Sequence, residues 1–282
     1  MLSGCSQQQQ PPLKIITNTW IGYSPLFYAK EKGWLKEHNI EISTLVSLGE
    51  SIMTYRLGGF DGVTGTQYEY QKLNSQNYNL VPVIMFDRSN GGDMVMSNQS
   101  LSQLKESTTT INVYLETNSI NALVFNDFTK AFNLSDKKFH FINKNQLKIL
   151  TQIKQNTPST PTIVVTYVPY NFELAQKGFK VLESTHNDSS LVVLDALFIN
   201  KDTLENRRAD LKNLKQIINK ALQHLQENPQ EFYNVIKPYT PTTPSYKDFK
   251  NALQNIKWLN NSIPDPLQLK MNQINFETGY LL

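Results

Sequence analysis

Leu13-Lys14-Ile15-Ile16-Thr17 runs into Asn18-Thr19-Trp20-Ile21-Gly22-Tyr23 and then into Ser24-Pro25-Leu26-Phe27-Tyr28-Ala29-Lys30-Glu31-Lys32-Gly33. The first five residues are a short apolar run closed by a polar loop, which predicts a strand. Ser24 and Pro25 supply an N-cap and a proline at the first helical position, and Gly33 supplies a left-handed residue past the far end. A helix over 25–32 is therefore expected. Strand, loop and helix in that order form the unit from which α/β sheets are assembled.

The unit recurs outward from this stretch. A strand at 40–46, a helix over 50–57 ending at Gly58-Gly59, a strand at 62–64 and a helix over 67–73 continue the alternation, which predicts a mostly parallel sheet. Strands at 80–86 and 94–97 flank the segment Asp87-Arg88-Ser89-Asn90-Gly91-Gly92-Asp93. A second alternation follows, with strands at 110–115, 139–142 and 162–166 and helices over 119–132, 146–155 and 169–177. Leu191 to Ile199 is a further apolar strand, after which the chain reads as helical. Leu204, Leu211, Leu214, Ile217, Ile218, Ala221, Leu222 and Leu225 keep three-to-four spacing, with shorter helices expected over 230–236 and 246–256. The expected fold class is α/β, with two α/β units in the body that follows residues 1–12. Strand ends in open sheets present loops and helix N-termini to a ligand, so the pattern points to a cleft without saying whether chemistry follows.

Composition narrows the function classes. Charged residues make up 18% of the 282, whereas 29 Asn and 20 Gln make the surface polar more than charged. No block of five like charges occurs, so the basic stripe that nucleic-acid affinity needs is absent and nucleic acid is excluded as a partner. Cys5 is the only cysteine, which excludes an intrachain disulfide and any zinc site built from several thiolates. No stretch approaches eighteen consecutive apolar residues.

Leu2-Ser3-Gly4-Cys5 resembles the lipobox of bacterial lipoproteins, whose cysteine sulfur carries a diacylglycerol. The basic and apolar regions that precede a lipobox do not precede this one, so the numbering is expected to start within a signal peptide. Ser6-Gln7-Gln8-Gln9-Gln10-Pro11-Pro12 is a polar tether with nothing to pack, the expected spacer between a lipid and a folded body. Lipidation at Cys5 would anchor the protein to a membrane, in the periplasm or at the cell surface.

Thr19-Trp20-Ile21-Gly22-Tyr23-Ser24-Pro25-Leu26, Ala29-Lys30-Glu31-Lys32-Gly33, Gly58-Gly59-Phe60-Asp61-Gly62, Thr66-Gln67-Tyr68-Glu69 and Asp87 to Asp93 together give the body a recognisable pattern. It resembles the nitrate/sulfonate/taurine/thiamine-precursor family of periplasmic solute-binding proteins. The resemblance spans about residues 13–225 and is strongest in the first hundred. Thr166-Tyr167-Val168-Pro169 and Val193-Leu194-Asp195-Ala196-Leu197-Phe198-Ile199 look like that family's later landmarks. It implies the type II periplasmic binding fold, with two α/β lobes joined by a two-stranded hinge, residues 13–95 with 190–282 forming lobe one and 96–189 lobe two. It also implies closure of that hinge on a small-molecule ligand, an ABC permease and ATPase as partners, and a monomer. A sensor that signals to a membrane receptor through the same closure is the alternative.

By the family's positions, the first lobe brings Trp20, Gly22, Tyr23, Thr64, Gly65 and Thr66 to the ligand, with Asn90 from the linking segment. The second lobe brings Glu116, Thr117, Asn118, Tyr167 and Pro169. The sequence departs from the family where a small glycine-containing turn is replaced by Glu116-Thr117-Asn118-Ser119. Hydroxyls and backbone N–H groups at helix starts suit an oxyanion such as a sulfonate or nitrate. Glu69, Asp93, Glu116 and Asp195 stand in the same set, however, with Arg88 the only nearby cation. That balance favours an amine or an aminopyrimidine, with Trp20 and Tyr167 sandwiching its ring. Each has a plainer role available: Trp20 as a core ring, Asp93 and Asp195 as hinge braces, Glu69 as a solvated helix residue.

Enzyme readings fail on inventory. A superfamily member that makes a thiamine pyrimidine needs a cysteine cluster and a histidine, and no cysteine lies in this body. His38, His140, His186 and His224 are far apart and lack a partner at metal-ligand spacing, so no metal and no cofactor is expected. Neither a nucleophile elbow nor a phosphate loop is present.

Overall fold

The computed structural model describes residues 10–153, 160–186, 191–240, 242 and 244–282. Cys5 and its lipobox lie outside the described residues, as does the end of the helix expected over 146–155. The chain begins β1 (Leu13–Asn18), α1 (Ser24–Glu31), α2 (Trp34–Glu37), β2 (Ile40–Leu45), α3 (Leu48–Arg56), β3 (Gly62–Thr66), α4 (Gln67–Asn74) and β4 (Leu80–Ser89). It continues β5 (Asp93–Ser97), α5 (Leu101–Glu106), β6 (Ile111–Leu115), α6 (Asn121–Ala131), β7 (Phe139–Asn143), α7 (Gln146–Gln152), β8 (Thr162–Tyr167), α8 (Tyr170–Gln176) and β9 (Lys180–Ser184). It closes with β10 (Leu194–Asn200), α9 (Lys201–Glu227), α10 (Pro229–Ile236), α11 (Tyr246–Leu253), β11 (Ile256–Trp258) and α12 (Asp265–Gln273).

These strands form a six-stranded sheet in the order β11-β4-β10-β3-β1-β2 and a five-stranded sheet in the order β7-β6-β8-β5-β9. The chain crosses from the first sheet to the second through Asn90, Gly91 and Gly92, and returns between β9 and β10. Both sheets are mixed, which corrects the mostly parallel expectation. β1 pairs in parallel with β2 and β3, and β6 with β7 and β8, as the helical crossovers require. The strands next to the two crossings run antiparallel to their neighbours: β10 against β3 and β4, and β5 against β8 and β9. Strict alternation of strands and helices does not reveal a strand that returns from a second sheet. β11 also interrupts the region expected to be wholly helical, pairing antiparallel with the outer edge of β4.

β4 runs three residues past its expected end at Phe86, because Asp87 and Arg88 pair with both β10 and β11, and Ser89 with β11. From Leu80 to Asp87 every residue of it is buried, the continuous pattern of a strand covered on both faces. α9 carries the expected apolar stripe and packs it on α1, with Leu211, Leu214, Ile218 and Ala221 fully enclosed. Gly33 has φ +77°, as expected past α1. Among the described residues, the non-glycine positions with positive φ are Asn39, Asn77, Asn79, Asn133 and Asn275. Asparagine tolerates this conformation best among residues with a side chain, so part of the asparagine excess shapes turns. No described helix is long and apolar enough to cross a membrane.

Candidate functional site

The strand ends facing the other sheet carry the acidic side chains. In the first sheet Asp195 of β10 stands opposite Thr66 of β3 on one side and Asp87 of β4 on the other. In the second sheet Asp93 of β5 stands opposite Tyr167 of β8. Directly opposed residues of an antiparallel pair share a face. Asn18, Trp20, Thr66, Asp93, Tyr167 and Asp195 line one interlobe cavity of about 20 Å³, closed by Leu48, Ile120 and Val193. That volume is about what one or two water molecules occupy.

Trp20 and Tyr167 meet across the cavity, but not as parallel plates. Their centroids are 5.8 Å apart at an interplanar angle of 78°, so each ring's edge or face is occupied by the other. The expected sandwich of a ligand ring between them is therefore not formed in this arrangement, and Tyr167 packs in the same edge-on way on Tyr170 at 5.2 Å. Trp20 is held by two bonds: its backbone N–H donates to Asn18 Oδ1 at 2.8 Å and its Nε1 donates to Asp87 Oδ2 at 3.3 Å. Gly22 permits this. A Cβ there would lie 1.8 Å from Asp87 Oδ2 and 2.5 Å from Trp20 Nε1. Gly92 leaves space from the other side, since a Cβ on it would come within 2.7 Å of Trp20 Cη2.

Other expected site residues are placed behind or beside this cavity. Tyr23 is fully buried and donates its hydroxyl to Asp195 Oδ1 at 2.5 Å. Thr64 shares a 2.7 Å hydroxyl bond with Thr17 inside the sheet. Gly65 packs on Glu69. Asn90 sits at the crossing, its backbone N–H donating to the Asn255 carbonyl at 2.8 Å. Thr117 donates its backbone N–H to Asn143 Oδ1 at 3.1 Å, and exposed Asn118 accepts from Lys72 Nζ at 3.5 Å. Glu116 and Asn118 line a different pocket, of about 290 Å³. Pro169 borders a third, of about 560 Å³, between α8 and the start of α11. Its lining includes none of the buried acids named above, and its larger volume does not make it the chemical centre.

Glu69 is no solvated helix residue. It is fully buried. Its Oε2 accepts the Thr66 backbone N–H at 3.0 Å and the Thr66 hydroxyl, closing the N-terminal turn of α4, while Oε1 accepts the Ile120 N–H at 2.8 Å ahead of α6. Glu116 reaches the opposite way. Its Oε2 accepts the Ser47 hydroxyl at 2.6 Å and the Gly49 N–H at 3.4 Å, at the start of α3. Each sheet's unit thus sends one buried carboxylate to a helix N-terminus of the other, where the helix dipole favours negative charge.

Burial governs the charges. It pushes Glu69 up to about 7, against the pull of its bonds from Thr66 and Ile120, and Asp93 up to about 6, against the Ser89 hydroxyl. Asp87 and Asp195 are raised as well, by burial first; the neighbouring acids add to this, Asp93 for Asp87 and Asp87 for Asp195. Glu116 is raised by burial. Among the described residues no lysine or arginine forms a salt bridge with any of these five acids; the ion pairs are Lys32 with Glu231 and Arg207 with Asp210. Arg88 follows Asp87 in the strand and so faces the other side of the sheet. Its Nε and Nη2 are buried without hydrogen-bond partners, and burial lowers its pKa. The cation expected beside the acids therefore does not face them. Among the described residues no three of His, Cys, Asp and Glu come together as metal ligands.

Asp87 is the residue that sequence reasoning missed. The expected strand stopped at Phe86, leaving Asp87 in a loop. A register shift between Asp195 and Ala196 leaves Phe86 without a partner on β10, and such a bulge re-aims the side chains after it. A carboxylate directly continuing a fully apolar run was the available signal.

Neither a protein-family model nor a curated protein sequence matches the chain. Solved structures do. The ligand-binding component of an ABC-type import system from Staphylococcus aureus, with zinc bound, superposes with a TM-score of 0.71 at 11% identity, covering 94% of this chain and 91% of that one. The periplasmic aliphatic sulphonate binding protein of Escherichia coli gives 0.68 at 11%, covering 95% and 91%. A Candida albicans gene product described as having the generic periplasmic binding protein fold gives 0.70 at 14%, covering 94% and 89%. Identities this low establish architecture and not ligand. This chain has the two-lobed, type II periplasmic binding protein fold.

Proposed function

We propose that the protein is a solute-binding component of an ABC importer that takes a small organic ligand between its lobes and performs no catalysis. One observation carries the choice of ligand class. Asp93 and Asp195 line the cavity, with Asp87 buried opposite Asp195, and none of the three is bonded to a cation, so a ligand with cationic or N–H donor groups supplies what the site lacks, whereas an anion meets an unfavourable field. An amine or an aminopyrimidine of the thiamine-precursor kind is favoured over a sulfonate or nitrate. Two of the neighbours are named as an ABC-type import component and a sulphonate-binding protein, and these names support the importer class. On this reading residues 13–95 with 190–282 act as one lobe and 96–189 as the other, Trp20 and Tyr167 part to admit the ligand, and the complete protein is a monomer held at a membrane surface by a lipid on Cys5. A permease and its ATPase are the partners.

A thermal-shift screen tests the ligand class. Ligand at a hundred times its Kd adds about 2.7 kcal/mol of apparent stability. Amines or aminopyrimidines are expected to raise the melting temperature; a shift produced by alkanesulfonates or nitrate alone would contradict the reading.

A further inference from the structure

The outer edge of the second sheet combines an open aromatic cluster with the chain's surplus of positive charge. β7 is the last strand of that sheet and pairs only with β6. Phe139 and Phe141 alternate along it and so lie on one face, where they meet Phe125 of α6 at 5.1 Å and 5.4 Å between ring centroids. Phe125 is buried, Phe139 is half-buried and Phe141 is 51% exposed. Of the 14 phenylalanines in the chain, Phe141 alone is exposed.

The charge lies at the same edge. Residues 121–148, from the start of α6 into α7, hold Lys130, Lys137, Lys138, Lys144 and Lys148 against Asp127 and Asp136. That surplus equals the +3 of the whole chain, so the rest of the chain is neutral in sum. Among the described residues none of the five lysines forms an ion pair. Lys130 lies in the last turn of α6 and Lys138 directly precedes β7, joined by a tight connection in which the Leu134 N–H donates to the Thr129 carbonyl at 2.8 Å and the Lys137 N–H to the Leu134 carbonyl at 3.0 Å. Lys130, Lys137 and Lys138 therefore stand at one end of β7, and Lys144 and Lys148 at the other, with the phenylalanines between. A strand of five residues spans about 17 Å, so both basic ends can meet one flat surface.

We propose that this edge rests on a negatively charged lipid bilayer, with Phe141 entering the headgroup layer and the lysines at both ends of β7 facing the lipid phosphates. A bilayer interface accepts an aromatic ring at headgroup depth and attracts each lysine near it. The headgroup layer also holds water, so the free N–H and C=O groups of the edge stay satisfied there, as they would not in hydrocarbon. An acidic protein strand added to β7 fits less well. His140 and Asn143 are exposed on β7, and lysines beside a free edge guard against strand addition. The contact lies outside the interlobe cavity and depends neither on the ligand class nor on a lipid at Cys5.

Co-sedimentation of the unlipidated full chain with vesicles tests it, comparing phosphatidylcholine alone with phosphatidylcholine holding about 30% phosphatidylglycerol. Binding to the anionic vesicles is expected to be at least about tenfold stronger than to the neutral ones, and to be lost at about 0.5 M salt. Phe141→Ala is expected to weaken it at least about threefold, and Lys130→Glu/Lys138→Glu at least about tenfold. All three side chains are exposed, so both variants are expected to keep the wild-type melting temperature. No binding to anionic vesicles, equal binding to the two compositions, or undiminished binding by both variants would overturn the proposal. So would displacement of the vesicles by soluble polyglutamate with Phe141→Ala binding as wild type, which would assign the edge to an acidic protein instead.

Discussion

Asp87 and Asp195 stand directly opposite one another across the β4–β10 ladder, both buried, with no cation bonded to either. Like charges in that position oppose sheet formation. The arrangement persists because protons and neutral donors replace counterions: Tyr23 donates to Asp195 and Trp20 to Asp87.

The first consequence is a stability that falls as pH rises. Glu69 at about 7 and Asp93 at about 6 both lie above their ordinary values of 4.5 and 3.8, so the folded state holds protons that the unfolded chain releases. Their favourable contribution is complete below about pH 4 and is lost as pH passes through 6 and 7. For Glu69 alone the loss is on the order of 3 kcal/mol. Melting temperature of the ligand-free protein is expected to fall by several degrees between pH 5 and 8, and less steeply in Glu69→Gln. A flat or rising profile would contradict the assignment.

Gly22→Ala places a methyl 1.8 Å from Asp87 Oδ2 and 2.5 Å from Trp20 Nε1. One of the two must move, at a cost of about 1–3 kcal/mol. The Trp20 to Asp87 bond is expected to break, seen as a shifted Trp20 indole N–H resonance, and ligand affinity is expected to drop. An unchanged indole signal would show that the packing around Gly22 is looser than described.

Glu69→Ala leaves the Ile120 and Thr66 N–H groups without their acceptor. A loss of about 2–4 kcal/mol is expected in chemical denaturation, with a more open molecule by small-angle scattering, because one of the two buried carboxylate links between the units is gone. Glu116→Ala is expected to open the molecule in the same direction. If neither variant changes the scattering profile, the links do not set the closed arrangement.

Much of this architecture was legible in the sequence. Pro25 and Gly33 bracket α1, and the apolar stripe from Leu204 to Leu225 marks α9, because a first-turn proline, a left-handed glycine and periodicity act locally. Ser24, expected as the N-cap, is instead the first residue of α1 and its hydroxyl caps nothing. β9, β11 and the antiparallel placement of β10 were not legible, since their partners lie far along the chain. At the site, Trp20, Thr66, Asp93, Tyr167 and Asp195 are brought to one cavity, each at or beside a strand end. The role of Asp87 was hidden by a register shift, and that of Glu69 by a helical position that gave no sign of the second unit covering it.

Calorimetry of the wild type and Asp93→Asn at pH 7.5, against an amine and an aminopyrimidine on one side and an alkanesulfonate and nitrate on the other, tests the central claim most directly. Asp93 lines the cavity and contributes its charge there. The account predicts that the cationic or N–H donor class binds wild type and weakens at least about tenfold in Asp93→Asn, as truncating one partner of a buried charged bond does. Binding of the oxyanions alone, tightened by the loss of the Asp93 charge, would contradict it.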